Sequence, residues 1–268
     1  MQNHDLKSAF KTFAYYSHAA YTVGSLWNCK GSCETPETHG TEIEYRWRSQ
    51  APISVGYIGR NSNSKLLVIS FRGTKDTDDW IQDAEFVQDP WPPHFSGSLV
   101  HHGFLSSYLS VAHNVTSEIT RLAQMYPDHR IVFTGHSLGG AETVMCAVDL
   151  LNRRPDLKPR MHIYTYGQPR IGNDEWASRV DKLKLPIFRM VYECDMVPHI
   201  PFRWLNYKHF SEEVWVRNGQ ILFCGRNGEN TKCSDLVPIG NYSIPDHSRY
   251  PETDWFGESE YIKAYITH

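Results

Sequence analysis

The chain has 268 residues, 40% of them hydrophobic, and 27 Lys plus Arg stand against 30 Asp plus Glu for a formal net charge of −3. Charge so nearly balanced leaves no basic footprint for nucleic acid, and no uninterrupted apolar run approaches the ~20 residues of a transmembrane helix. The length suits one α/β domain, and with no linker-like stretch, internal repeat or low-complexity tract we expect residues 1–268 to form a single domain.

The first stretch, MQNHDLKSAFKTFAYYSHAAYT, has no basic n-region followed by a continuous apolar core, so it is not a secretory signal. Leu6, Phe10, Phe13 and Ala14 keep helical spacing, which predicts a helix docked on a core. Strand-like runs come next at 53–58, 66–71, 131–134, 162–166, 187–192 and 214–216, with helical patterns at 105–126, 141–152 and 174–183. This alternation argues for an α/β domain with helices covering a central sheet. The short runs do not fix strand order. Between the second and third strands, Trp80, Ile81, Ala84 and Val87 fall at i, i+1, i+4 and i+7 while Asp79, Gln82, Asp83 and Glu85 stay polar, and Asp76 or Thr77 can cap the segment. Any amphipathic helix packed on its domain shows the same stripe.

Six cysteines are divided between two sequence-local pairs, Cys29/Cys33 and Cys224/Cys233, in polar loops that suit disulfides, and Cys146 and Cys194, which read as buried free thiols. Asn114 and Asn241 head glycosylation sequons. Either the protein is intracellular or a signal peptide has been removed; the cysteine pairs favour a secreted protein.

The stretch that carries chemistry is IVFTGHSLGGAETVMCAVDLL, 131–151. Its core, Gly135-His136-Ser137-Leu138-Gly139, is a G-x-S-x-G pattern that would recur by chance on the order of 0.1 times in such a chain. Context strengthens it. Ile131, Val132 and Phe133 read as a buried strand, and Val144, Ala147, Val148 and Leu151 recur as one helical face, giving the strand, turn and helix of a nucleophile elbow. The turn brings strand and helix so close that side chains two residues either side of the serine would collide, which explains Gly135 and Gly139. The helix N-terminus points free N–H groups at the place where negative charge would develop.

A serine needs a histidine to take its proton, and the histidine needs a carboxylate. On α/β-hydrolase sheets the order is Ser, then acid, then His. Asp195 sits just past the strand at 187–192, before the turn Val197-Pro198; Glu193 is the rival, placed closer to the strand. Of the downstream histidines, His199 shares the Asp195 loop, His268 is terminal, and His247 comes after the rigid turn Ile244-Pro245-Asp246. His209 stays open, and beside Phe210 it reads equally as a packed core residue. Oxyanion donors are expected from the backbone of Leu138 and from Thr74, in the Arg72-Gly73-Thr74 turn after the strand at 66–71. His101-His102 lacks chelating spacing, and no metal or other cofactor is expected.

FRGTKDTDDW at 71–80, VHHGF at 100–104, TGHSLGGA at 134–141, YGQPRIGN at 166–173, ECDMVPHIP at 193–201 and the late Asp246-His247 together resemble the filamentous-fungal class 3 triacylglycerol lipases of the Rhizomucor and Thermomyces type, over roughly residues 40–250. The resemblance implies an α/β-hydrolase fold with a mostly parallel sheet and a short helical lid at about 75–89. It implies Ser137 as nucleophile, Asp195 as acid, His247 as base, and Thr74 and Leu138 as oxyanion donors, Thr74 replacing the serine of the close relatives. The lid residues would be Trp80, Ile81, Ala84 and Val87. The Cys224/Cys233 spacing is similar to a local bridge of these enzymes, but their long-range disulfide to the C-terminus has no partner cysteine here.

Together these features predict a secreted, monomeric serine esterase, activated at a lipid–water interface and acting on acylglycerols. The rivals are a feruloyl or other soluble-ester esterase or a phospholipase A1 on the same fold, and a noncatalytic lipid-binding protein that kept the fold.

Overall fold

A computed structural model describes residues 3–74, 85–91, 95–226, 228–250 and 262–264. Helix α1 (Asn3–Ala19) comes first, with Phe10, Phe13 and Ala14 buried and Leu6 packed beside them. Strands β1 (Thr41–Arg48), β2 (Val55–Asn61) and β3 (Leu66–Phe71) come next, then the short antiparallel pair β4 (Gln88–Pro90) and β5 (Leu99–His101). Helices α2 (His102–Leu109) and α3 (Ala112–Met125) lead to β6 (Arg130–His136), α4 (Leu138–Arg153), β7 (Met161–Tyr166), α5 (Asp174–Lys182) and β8 (Ile187–Tyr192). The chain continues through β9 (Glu212–Arg217), β10 (Gln220–Phe223), the one-turn α6 (Ile244–His247) and β11 (Ile262–Ala264).

Among the described residues nine strands form one sheet in the order β1-β2-β3-β6-β7-β8-β9-β10-β11. From β3 to β9 every neighbouring pair is parallel, while β1/β2, β2/β3 and β9/β10 are antiparallel. The side-chain alternation of the central strands supplies two cores, one on each face. Leu67, Ile69, Phe71, Ile131 and Phe133 face α3 and α4, whereas Leu66, Val68, Val132 and Tyr164 face α1. On that second face Phe13 stacks on Tyr164 with ring centroids 4.6 Å apart.

Register brings the strand ends to a common edge, since Phe71 lies opposite Gly135, His136 opposite Tyr166, and Tyr166 opposite Met190. The loops beginning at 72, 137, 167 and 193 therefore emerge side by side, where open α/β sheets place their sites.

Three expectations need correction. The helical pattern at 105–126 is two helices, because at the joint the Ser110 hydroxyl donates to the Ser107 carbonyl at 2.7 Å and Val111 leaves helical geometry, φ −126°. The strand read from residue 53 starts at Val55, with Ile53 exposed in the preceding loop. Residues 85–87 are not helical and 88–90 form β4, so the stretch expected as a lid ends in a strand, with Val87 exposed in the connection. Trp80, Ile81 and Ala84 lie outside the described residues.

Candidate active site

Ser137 stands between β6 and α4 at φ 59°, ψ −134°, a left-handed conformation forced by the sharp turn. The crowding expected of the flanking glycines is present. A Cβ on Gly135 would lie 2.3 Å from the Gly139 carbonyl oxygen, and one on Gly139 would lie 2.2 Å from that of Phe71. The second contact also presses the start of α4 against the end of β3, which sets Leu138 beside the 72–74 loop that carries Thr74. Both Leu138 and Thr74 are half-buried. Ser137 makes no capping bond with its side chain, and its Oγ is buried without a hydrogen-bond partner among the described residues.

Asp195 lies in the loop after β8 and is fully buried; a one-residue bridge to Ser243 draws the chain that precedes His247 alongside it. His247 closes α6, which begins with Ser243 Oγ accepting from the Asp246 backbone N–H at 3.2 Å and has Pro245 in its first turn. His247 Nδ1 lies 2.9 Å from Asp195 Oδ2 and 3.1 Å from Oδ1. An ionised carboxylate only accepts, so Nδ1 carries the proton and Nε2 is left with a lone pair. That Nε2 is buried and, among the described residues, unpartnered.

Three further residues complete this corner. Tyr250, buried, donates its hydroxyl to Asp195 Oδ2 at 2.6 Å and accepts the Tyr192 backbone N–H at 3.0 Å. The Val197 N–H reaches Asp195 Oδ1 at 2.9 Å, so both carboxylate oxygens are satisfied. Gly167 has φ +58°, and a Cβ there would stand 2.7 Å from His247 Nδ1 and 2.8 Å from Asp195 Oδ2. Neither Tyr250 nor Gly167 stands out as a site residue in the sequence, although Tyr250 lies three positions after His247, close to one helical turn, which is a usable signal.

The competing residues are engaged elsewhere. Glu193, at φ 45°, binds Arg217 Nη1 at 3.0 Å and the Asn218 N–H at 2.7 Å. His199 stacks on Tyr242 at 4.5 Å, and His209 is a buried residue whose Nε2 lies 2.7 Å from the Pro198 carbonyl oxygen. His268 lies outside the described residues. His101 caps α2, its Nδ1 accepting from the Gly103 N–H at 3.1 Å, and burial lowers its pKa to about 4; His102 is exposed beside Asp89.

Both expected disulfides are formed, Cys29–Cys33 and Cys224–Cys233. Glu213 approaches the second pair, but its sulfurs are already bonded to each other and offer no thiolate to a metal. Cys146 is buried as expected, whereas Cys194 is half-buried with Arg217 Nη1 2.9 Å from its sulfur.

The sequence model of the family Lipase (class 3) matches residues 68–204. The chain is 34% identical over 232 residues to the lipase of Rhizomucor miehei, covering 85% of this chain and 62% of that protein. The chain belongs to the class 3 lipase family. This class 3 lipase is also 32% identical over 207 residues to the secreted mono- and diacylglycerol lipase A of Penicillium cyclopium, covering 76% and 66% of the two chains, so it spans about two thirds or less of each of these relatives. A solved structure of a triacylglycerol lipase, described as having a catalytic centre formed by a serine protease triad, matches with TM-score 0.83 at 31% identity over 92% of this chain and 93% of that one. The central sheet and its flanking helices are therefore those of an α/β hydrolase.

Proposed function

We propose that this class 3 lipase hydrolyses carboxylic esters of triacylglycerols through Ser137, His247 and Asp195. The observation that carries the reading is a buried Ser137 Oγ on a left-handed elbow, at the same sheet edge as an Asp195–His247 pair whose Nε2 is also buried, both atoms unpartnered among the described residues. A buried polar atom without a partner costs about 1–3 kcal/mol, so two of them at one strand edge mark a place built for something other than stability.

His247 Nε2 takes the hydroxyl proton as Ser137 Oγ attacks the ester carbonyl. The new negative charge falls where the Leu138 N–H opens α4 and where Thr74 offers its backbone N–H and hydroxyl; one such donor is worth roughly 3–4 kcal/mol in the transition state. The imidazolium then passes its proton to the departing glycerol oxygen. Water repeats the sequence on the acyl-enzyme, giving its proton to Nε2 and releasing the fatty acid. Asp195, bonded by the Val197 N–H and Tyr250 as well as by His247, stays charged and stabilises the imidazolium. None of these steps calls for a metal.

Family membership and an exposed apolar surface support action at a lipid–water interface. Trp204 is 68% exposed and stacks on Phe202 at 4.2 Å, in the segment after Asp195. A lid over the site, expected at about 75–89, is part of this reading; its residues 75–84 lie outside the described residues. Two disulfides, and a relative named as secreted, support export to an oxidising compartment.

The test is the rate of tributyrin hydrolysis across its solubility limit, with Ser137→Ala as control. A rise on emulsion formation that Ser137→Ala lacks is the expected result. Smooth saturation below the limit would favour a soluble-ester esterase, and equal rates in the two proteins would remove Ser137 from the mechanism.

A further inference from the structure

His136 precedes Ser137, yet its ring is turned toward His247, with centroids 4.4 Å apart. Its Nε2 lies 2.8 Å from the His247 carbonyl oxygen and its Nδ1 lies 2.8 Å from the Tyr21 hydroxyl. The carbonyl can only accept, so Nε2 carries the proton; in the neutral ring Nδ1 then accepts, and Tyr21 is the donor. Burial, and next the proximity of His247, hold the His136 pKa well below the usual imidazole range, and burial raises that of Tyr21, so both groups keep these forms in neutral solution. The Tyr21 oxygen is also packed on the oxyanion loop: a Cβ on Gly73 would stand 2.3 Å from it, 2.6 Å from the His136 carbonyl oxygen and 2.9 Å from Ser137 Cβ.

We propose that Tyr21 and His136 are positioning residues that hold the base His247 and the oxyanion loop at 72–74 in a fixed relation. The proposal rests on the reading of Ser137 and His247 as nucleophile and base. His247 belongs to a one-turn helix, too short to fix its own direction. Asp195 grips its ring and His136 grips its backbone, so the two bonds together set where Nε2 points. A neutral donor suits this task. A cation 4.4 Å from His247 would oppose the charge that ring acquires when it takes the serine proton. Tyr21 keeps His136 in the one tautomer that donates to the carbonyl, and by contact with Gly73 ties the same bond to the loop that carries Thr74.

The test measures kcat, KM and the pH dependence of kcat/KM on a dissolved ester for the wild type, His136→Leu, His136→Gln, Tyr21→Phe and Ser137→Ala, with active sites counted by a serine-directed phosphonate. Loss of alignment predicts kcat per labelled site about 10–100-fold lower in His136→Leu, KM within about threefold, and a displaced acid limb of kcat/KM. His136→Gln, whose amide N–H can replace the donor, recovers most of kcat, and Tyr21→Phe loses about 3–10-fold. Unchanged kcat and acid limb in His136→Leu and Tyr21→Phe, with Ser137→Ala inactive, overturn the positioning role alone. If His136→Leu does not fold, unchanged behaviour of Tyr21→Phe overturns it in the same way. Full activity in Ser137→Ala, or no labelling of the wild type, overturns the catalytic reading beneath it.

Discussion

Gly167 shows how little room surrounds the proposed base. Its φ of +58° lies in the left-handed region, and the missing Cβ would fall within 2.8 Å of both His247 and Asp195. Gly167→Ala therefore combines a backbone penalty of roughly 1–2 kcal/mol with a displacement of the imidazole or the carboxylate. Those side chains cannot retreat far, because Asp195 is held on both oxygens and His247 by its ring and its carbonyl. We expect kcat to fall about 100-fold, since a shift near 1 Å at a catalytic group has that effect, while thermal unfolding shows a loss of only about 1–3 kcal/mol. Parallel kcat and melting measurements separate the two. A variant with full kcat would mean that the pair has more freedom than these distances allow.

At the scale of elements, α4 is buried along almost its whole length, from Gly139 through Val148, and that has an electrostatic consequence. Glu142 lies in this stretch; Ser54 Oγ donates to its Oε2 at 2.9 Å, and burial raises its pKa to about 8 against an ordinary 4.5. Between these two values the folded chain holds a proton that the unfolded chain has released, so stability falls as pH rises from about 4.5 to about 8. Glu142→Gln removes this dependence: urea unfolding of the two proteins should agree below pH 4.5 and diverge above it, the variant becoming more stable by on the order of several kcal/mol at alkaline pH. The elements legible in the sequence are α1, β2, β3, β6, α4, β7, α5, β8 and β9, the central strands most sharply, because parallel strands buried on both faces are apolar without interruption. Strand β1 escapes the pattern although Ile43, Tyr45 and Trp47 alternate, since Glu42, Glu44, Arg46 and Arg48 on its other side mask the run and a bulge falls between Ile43 and Tyr45. Of the proposed triad, chain order and loop position single out Ser137 and favour Asp195 and His247, while Glu193 and His209 stay as alternatives until the family motifs are read. Gly167 and Tyr21 are not legible in this way, because their contacts join segments far apart in the sequence, and Tyr250 offers only its spacing from His247.

For the whole molecule, the proposed action at a lipid–water interface requires something to hold the protein there. A net charge of −3 provides no strong electrostatic attraction, so apolar contact has to dominate. Trp204, Val87 and Leu205 are 68%, 53% and 39% exposed, and their segments are joined by the Gln88 amide donating to the Asn206 carbonyl at 2.9 Å and by the Tyr207 hydroxyl, 3.4 Å from the Val87 carbonyl oxygen. In chain order the first segment comes after β3 and the second after Asp195, and β3 and β8 both end at the edge of the sheet that bears Ser137. Burying Trp204 is worth about 1.5–3 kcal/mol, or roughly 10–100-fold in partition. Trp204→Ala should therefore weaken adsorption to triolein emulsions by at least about tenfold, measured by depletion of protein from the aqueous phase, with little dependence on salt because no ion pair is lost. Ser137→Ala should adsorb as the wild type does, since its defect would lie in chemistry. If instead Trp204→Ala adsorbs normally, the contact is made by other residues; if adsorption collapses only at high salt, charge rather than apolar surface anchors the protein.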